Sequence, residues 1–504
     1  MKLSQLLQAT AVIKVIGTVD PEISGLHHDS RTVSSGGLFF ALKGGHADGH
    51  LFIPAAVANG AAALIVENCG NIPPGVTAVQ VAEARLAMAE IAAAFYGRPT
   101  AAAPLIGITG TNGKTTTTFL LEGILNAAGM PAAVLGTISY RFGATVFEAS
   151  HTTPESTELQ AVLRKLADAG AGSFVLEVSS HALEQRRVDG CSFDVGIFSN
   201  LTRDHLDYHG SMEQYLRAKK RFFAELLTAD AVKPVRRAAV NMDDPYGAVI
   251  RECAACPVIT YGSGVDNDVH GVAVSISVHG ISGRIHTPKG DFPFSSKLLG
   301  RFNLSNILAA VTAGVALDLP LAAIKGGIEK HLPVPGRLER VENSRGVTCL
   351  VDYAHTGDAL ENVLSTLQEI ATGRIITVFG CGGDRDNGKR PIMGSVAIHY
   401  SDLVVVTSDN PRTEDPLRIL AQVKAGIVPA AVREYSSGEL DSGIAEKGFI
   451  VIENRREAIR LAVRLARPGD ILLLAGKGHE DYQIVGTTKH HFDDREEAAK
   501  AFGE

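Results

Sequence analysis

Apolar residues along the chain gather in short runs that alternate with stretches of helical period. Up to about residue 98 the runs LFFALKG and AAALIVE read as strands around a helix-like FIPAAVANGA, and YGRPTAAAP closes the region as a loop. The next region opens with the apolar strand PLIGIT and then TTTTFLLEGILNAAG at helical period. SFVLEVSS, FDVGIFSNL, EQYLRAKKRFFAELL and AAVNMDD continue the alternation, which predicts crossover units on a mostly parallel sheet. Short alternating runs with turn glycines over 268–296 break that rhythm and predict a small antiparallel insertion. NLSNILAAVTAGVALD and LAAIKGGIEKH follow as helices, and HLPVPGR (331–337) interrupts the pattern as a linker. The third region alternates again through TCLVDYAHT, DALENVLSTLQEIA, RIITVFG, DLVVVTSDN, PLRILAQVKAGI, AIRLAVRLA and DILLLAG. The expected fold is α/β in three domains, 1–98, 99–334 and 335–504, the last a Rossmann-like α/β domain.

Composition changes this picture little. The 504 residues are 45% hydrophobic and 20% charged, ordinary for a globular chain with sizeable cores. A net charge of -7 implies no broad basic surface, which argues against a nucleic-acid partner but leaves room for a local anion pocket. Cysteines at 69, 191, 253, 256, 349 and 381 include one C-x-x-C, without a second pair at zinc-finger spacing. MKLSQLLQATAVIKVIG has neither a continuous apolar core nor a small-residue cleavage site, and no run reaches the length of a membrane span. A cytoplasmic protein is expected, and a monomer.

The candidate chemistry begins at GITGTNGKTTTT, 107–118. It lies between an apolar strand and a helix start, where backbone N–H groups and the helix dipole favour an anion. The common phosphate-loop pattern wants glycine at 108, where this chain has Ile108. Gly110 and Gly113 allow close approach of the backbone to phosphate, Lys114 has the reach for β- and γ-phosphates, and the Thr115 hydroxyl suits Mg²⁺. A loop alone would serve a kinase, a switch GTPase or an ATPase equally.

Further motifs stand downstream: LEVSSHALEQRRV (176–188), SNLTRDHLDYHGSMEQYLRAKK (199–220), GRFNLSNILAA (300–310), VPGRLERV (334–341), VDYAHT (351–356), FGCGGDRDNGKRPIM (379–393), TSDNPRTEDP (407–416) and AGKGHEDYQ (475–483). With GTNGKTT in place of the common loop pattern, this ordered set resembles the Mur ligase family. The form of TSDNPRTEDP is similar to that of members adding meso-diaminopimelate. The resemblance implies a central P-loop-type ATPase domain between a UDP-sugar-binding domain and an amino-acid-binding one. It also implies an amide ligase for peptidoglycan precursors: ATP phosphorylates the D-glutamyl γ-carboxylate of UDP-N-acetylmuramoyl-L-alanyl-D-glutamate, and the incoming amine attacks the acyl phosphate.

By the same resemblance Lys114, Glu177, His205 and Lys219 are the catalytic set. Thr115, Glu177, His205 and Lys219 are implied as Mg²⁺ ligands, Lys219 after carbamylation. From the residues alone RAKKR is equally the basic face of a helix. ATP is assigned to Gly110, Thr111, Asn112, Gly113, Lys114, Thr115, Thr116, Asn306 and Arg337. Ser30, Gly45, His46, Ala47, Thr152, Thr153, Ser179, Gln185 and Arg187 are assigned to the UDP-linked dipeptide. Arg385, Asp409, Asn410, Pro411, Arg412, Gly476 and Glu480 are assigned to diaminopimelate, whose far carboxylate suits a two-pronged arginine while the ammonium of L-lysine does not. Addition of L-lysine by the same ligase, a folylpolyglutamate synthase-like ligase and a nucleotide-controlled switch remain the alternatives.

Overall fold

A computed structural model describes residues 1–44, 47–70, 72–330 and 333–503, apart from the side chain of Asp207. Three large sheets organise it. In the first, Lys14–Ile16, Thr77–Gln80, Ala61–Val66, Gly37–Phe40 and Gly25–His27 are neighbours in that order, parallel except at the Lys14–Ile16 edge. The second has eleven strands with Leu105–Thr109 between Val195–Phe198 and Ser173–Glu177, all three parallel. The third has seven strands and is parallel except at the Glu339–Val341 edge. By contacts the chain divides into two compact units, 1–272 with 284–294 and 305–331, and 273–283 with 295–304 and 332–504. The first unit holds the first sheet and the strands around Leu105–Thr109, the second the seven-stranded sheet.

The apolar run of PLIGIT is a central strand because it has no solvent face: Leu105, Ile106 and Ile108 are fully buried. The alternating runs of 268–296 are the strands Val269–Ser277, Gly280–His286 and Phe292–Ser296. They extend one edge of the eleven-stranded sheet rather than standing apart, the first pairing parallel with Val258–Gly262. Such pairing satisfies the backbone groups that the Val258–Gly262 edge would otherwise leave open. EQYLRAKKRFFAELL is not one regular helix. The α-helix Met212–Arg221 gives way to a wider π turn, Phe222–Leu226, which puts both Phe222 and Phe223 into the core.

In the second unit the sheet is covered on both faces, by clusters around Leu350, Phe379 and Ile427 and around Val351, Val405 and Leu474. Arg455 and Asp494 form an ion pair there with both side chains wholly buried. Arg455 Nε donates to Asp494 Oδ1 at 2.7 Å, and its Nη2 donates to the Ala475 carbonyl at 3.0 Å, where the strand Ile471–Ala475 ends. Removing one member of such a pair strands a buried charge, whereas replacing both by apolar groups is often neutral. Asp494→Asn is therefore expected to destabilise by about 3 kcal/mol or more. Calorimetry should register this as a fall of roughly 6 °C or more in the melting of the second unit, with Arg455→Met/Asp494→Leu close to wild type.

Candidate active site

The strand Leu105–Thr109 runs straight into the glycine loop, and the helix Lys114–Ala127 starts at its far end. Gly113 caps that helix at φ 85°. A side chain there would be strained by the backbone and would stand 2.2 Å from Asn306 Oδ1. Asn306, expected at ATP, thus packs directly beneath the loop, and Thr117 Oγ1 lies 3.5 Å from its Oδ1. Lys114 Nζ reaches back to the carbonyls of Gly110 (2.9 Å) and Thr111 (2.8 Å). Thr111 and Asn112 are held by Asn200, whose carbonyl accepts from Thr111 N and whose Oδ1 accepts from Asn112 N. Thr115 and Thr116 sit in the buried first turn.

Lys219 is only 1% exposed, although it comes from the basic stretch RAKKR. Its Nζ lies 4.6 Å from the centre of the Tyr215 ring, one helical turn earlier. The Tyr215 hydroxyl is 3.1 Å from Thr111 Oγ1, so this tyrosine spans from the phosphate loop to the lysine. Burial, and then the neighbouring Lys114 charge, hold the Lys219 ammonium well below the usual lysine pKa. Burial likewise pushes the Tyr215 hydroxyl up to about 12. His205 sits at φ 53° with a half-exposed ring, 6.2 Å from Tyr215 between centroids. It also meets His181 edge to face at 5.1 Å.

Glu177 ends the strand beside the loop strand and is in register with Ile108. Its buried carboxylate accepts from Thr137 N at 3.2 Å and Thr137 Oγ1 at 3.0 Å. Among the described residues no cation forms an ion pair with it, and no three His, Cys, Asp or Glu side chains converge as a metal cluster.

Several residues expected at the UDP-linked substrate join Glu177 in one network. Thr153 Oγ1 donates to the Glu177 carbonyl at 2.7 Å and accepts from Ser179 N, Thr152 Oγ1 is 3.1 Å from Thr137 Oγ1, and Ser179 caps the helix Ser180–Glu184. Arg187 pairs with Glu155 at 2.9 Å and donates to the Thr153 carbonyl and to Gln185 Oε1, both at 2.8 Å. Its charge is thereby balanced within the protein. Gln185 Nε2 donates in turn to Tyr208. Ser30 and Ala47 lie apart from this network in the first region, where Ser30 is buried and its carbonyl accepts from Asn59. Gly45 and His46 fall outside the described residues.

In the second unit the residues assigned to diaminopimelate meet at the ends of parallel strands. Asp409 is buried, and Lys477 Nζ lies 2.9 Å from its Oδ1. Burial raises that carboxyl, but Lys477 and Arg455 outweigh it and hold the group below the usual aspartate value. Asn410 Nδ2 donates to Glu480 Oε2 at 3.0 Å. Burial, reinforced by Asp409, raises the Glu480 carboxyl above the ordinary range. Arg412, at φ 52°, donates from Nη1 to the Gly383 carbonyl at 2.8 Å. A Cβ on Gly383 would fall 1.9 Å from the Pro411 carbonyl oxygen, so the loop bearing Arg385 lies directly against the Asn410–Pro411 turn. Arg385 itself is exposed. Gly476 stands 3.5 Å, through an added Cβ, from Asp409 Oδ2. Arg337 is also in this unit, its guanidinium 4.9 Å from the Tyr353 ring centre.

Sequence reasoning missed Thr137, Tyr215 and Lys477. Tyr215 carries a usable signal, four residues before Lys219 on one helix. Lys477 is inside a motif but reads as a solvated lysine. Thr137 has no local mark at all, since only sheet pairing brings it to Glu177.

The sequence matches the Mur ligase family catalytic domain over residues 22–96, the Mur ligase middle domain over 108–314 and the Mur ligase glutamate ligase domain over 336–478. It is 61% identical over 504 residues to a UDP-N-acetylmuramoyl-L-alanyl-D-glutamate–2,6-diaminopimelate ligase of Geobacter metallireducens, covering 100% of this chain and 99% of that one. A ligase so described from Geobacillus kaustophilus is 44% identical, with all of both chains covered. A solved structure described by the same enzyme name superposes with a TM-score of 0.70 at 34% identity, over 95% of each chain. The fold also resembles a Mycobacterium tuberculosis folylpolyglutamate synthase solved with ADP, at a TM-score of 0.59 and 18% identity over 76% of this chain and 90% of that one. A glycine loop beside a buried glutamate and a buried lysine, with matches across all three regions, makes this chain a member of the Mur ligase family.

Proposed function

We propose that this protein is an ATP-dependent ligase that joins meso-2,6-diaminopimelate to the D-glutamyl γ-carboxylate of UDP-N-acetylmuramoyl-L-alanyl-D-glutamate in peptidoglycan precursor synthesis. In this reading 1–98 receives the UDP-sugar, 99–334 binds ATP and 335–504 receives the amino acid. The observation that carries it is the turn at 409–412. There a cation, Arg412, and a carboxylate, Glu480, flank Asn410. That pair of opposite charges suits an amino acid whose far end bears both a carboxylate and an ammonium. L-Lysine lacks the carboxylate and would leave the arginine unmatched.

A carboxylate resists attack because oxide is a poor leaving group. Its oxygen takes the γ-phosphoryl group of ATP, and ADP departs. The amine then attacks the acyl carbon, inorganic phosphate leaves, and the nitrogen gives up a proton to form the amide. Bringing two anions together is the main barrier. Backbone N–H groups at the start of the helix Lys114–Ala127, with Lys114, are placed to hold the β- and γ-phosphates. The site also fits Mg²⁺: Glu177 is a buried carboxylate without a cationic partner among the described residues, with the Thr115 hydroxyl and the His205 imidazole as further donors. A bound Mg²⁺ would offset the charge of phosphate and carboxylate. Lys219 supports the carbamylated form, because its depressed pKa favours the neutral amine. That nitrogen adds to CO₂ and releases a proton, leaving an anionic carbamate.

No described helix is long and apolar enough to cross a membrane. The proposed substrates are small soluble molecules, and we read the protein as a cytoplasmic monomer.

Two measurements test this. Phosphate release with ATP and the UDP-linked dipeptide should favour meso-diaminopimelate over L-lysine by about 100-fold or more in kcat/KM. Equal use of both sinks the selectivity, and release indifferent to any amino acid points to a switch instead. Gently prepared protein should carry the mass of one CO₂ at Lys219, and Lys219→Ala should lower activity by about 100-fold or more. Unmodified mass with activity independent of bicarbonate would refute the carbamate.

A further inference from the structure

Lys477 is the one lysine of the second unit that is fully buried among the described residues. Its ammonium lies 2.9 Å from Asp409 Oδ1, and it donates to Asn410 Oδ1 at 3.2 Å and to the Tyr482 carbonyl at 2.7 Å. These acceptors belong to two segments that sequence keeps far apart, the 409–412 turn and the start of the hairpin Tyr482–Val485/Thr488–His491. Two of the three N–H donors of the ammonium go to Asn410 and Tyr482, and Asp409 supplies the counter-charge.

The consequence for Asn410 is specific. Its Oδ1 accepts from both Lys477 and the Ile484 N–H, at 2.9 Å for the latter. Two donors on one side of the amide leave only Nδ2 to face the other way. Nδ2 then donates to Glu480 Oε2, which fixes the carboxylate that the preceding reading aims at an amino group. Arg412 is tied to the same hairpin: its N–H donates to the Ile484 carbonyl at 3.1 Å, and its carbonyl accepts from Gly486 N at 2.7 Å.

We propose that Lys477 is the positioning residue of the amino-acid site, orienting Asn410 and through it Glu480, and holding the Arg412 turn against the hairpin. The inference rests on the reading that the second unit receives the incoming amino acid. Lys477 touches no substrate in this scheme. Its loss should therefore act on recognition of the amino acid rather than on ATP.

The test uses the full-length enzyme with ATP, the UDP-linked dipeptide, meso-diaminopimelate and L-lysine. Lys477→Met should raise KM for meso-diaminopimelate by about 10- to 100-fold. The KM values for ATP and the dipeptide should stay within about twofold, and the preference over L-lysine should fall by about tenfold or more. A KM for diaminopimelate that does not move, or ATP and dipeptide values that rise equally with it, overturns the proposal. In an Asn410→Ala background, Lys477→Met should add less than about threefold, because the two act in series; a full additional loss also overturns it. Should Lys477→Met fail to fold, Asp409→Asn/Lys477→Met removes both buried charges together. That variant should fold yet remain unselective, whereas wild-type selectivity in it would reduce Lys477 to a counter-charge and overturn the proposal. Wild-type enzyme preferring L-lysine would refute the substrate reading alone, and the same KM split measured with L-lysine would still decide the role of Lys477.

Discussion

Burying an ammonium costs several kcal/mol unless anions and hydrogen-bond acceptors replace the water it loses, and the two most buried lysines of this chain meet that constraint in opposite ways. Lys477 is given a carboxylate, an amide oxygen and a backbone carbonyl, and it joins segments of the second unit. Lys219 lies against the face of the Tyr215 ring, but burial and then the repulsion of Lys114 disfavour its charged form. One environment suits the proposed strut, and the other favours the neutral amine that the proposed carbamate needs. Neither role belongs to lysine as such.

The carboxylates follow the same logic. Asp409 and Asp494 are both buried beside cations, and for Asp409 those cations hold the carboxyl below the usual aspartate value. Glu177 is buried, with Thr137 the one donor to its carboxylate among the described residues, and Glu480 is half-buried with a raised pKa next to Asp409. Among the described residues neither forms an ion pair, and their proposed partners, a metal ion and an amine, arrive from outside. Within each unit hydrogen bonds and close contacts hold the elements around these groups. The phosphate loop is pinned by Asn200, Asn306 and Tyr215, and the 409–412 turn by Gly383, Lys477 and the hairpin.

Much of the architecture was legible in the chain. Fully apolar runs such as PLIGIT and DLVVV mark strands buried on both faces, and helical period between them marks crossovers. Two features were less so. The wide turn at Phe222–Leu226 has the same periodicity as the helix before it, and it forms because two adjacent phenylalanines are both drawn into the core. The runs of 268–296 read as an insertion because alternation marks strands without saying which existing sheet edge they continue.

The sequence by itself determined the family, the glycine loop with Gly113 and Lys114 between strand and helix, and the turn carrying Arg412, because those depend on residue type and short spacing. Only the tertiary structure decided that Lys219 is buried while the other basic residues of RAKKR are not, that Asn306 lies beneath Gly113, and that Arg187 has its charge met by Glu155. It alone placed Thr137 on Glu177 and Lys477 between Asp409 and Tyr482. The physical reason is that burial and charge pairing are set by what packs across from a residue, and those partners lie tens of positions away along the chain.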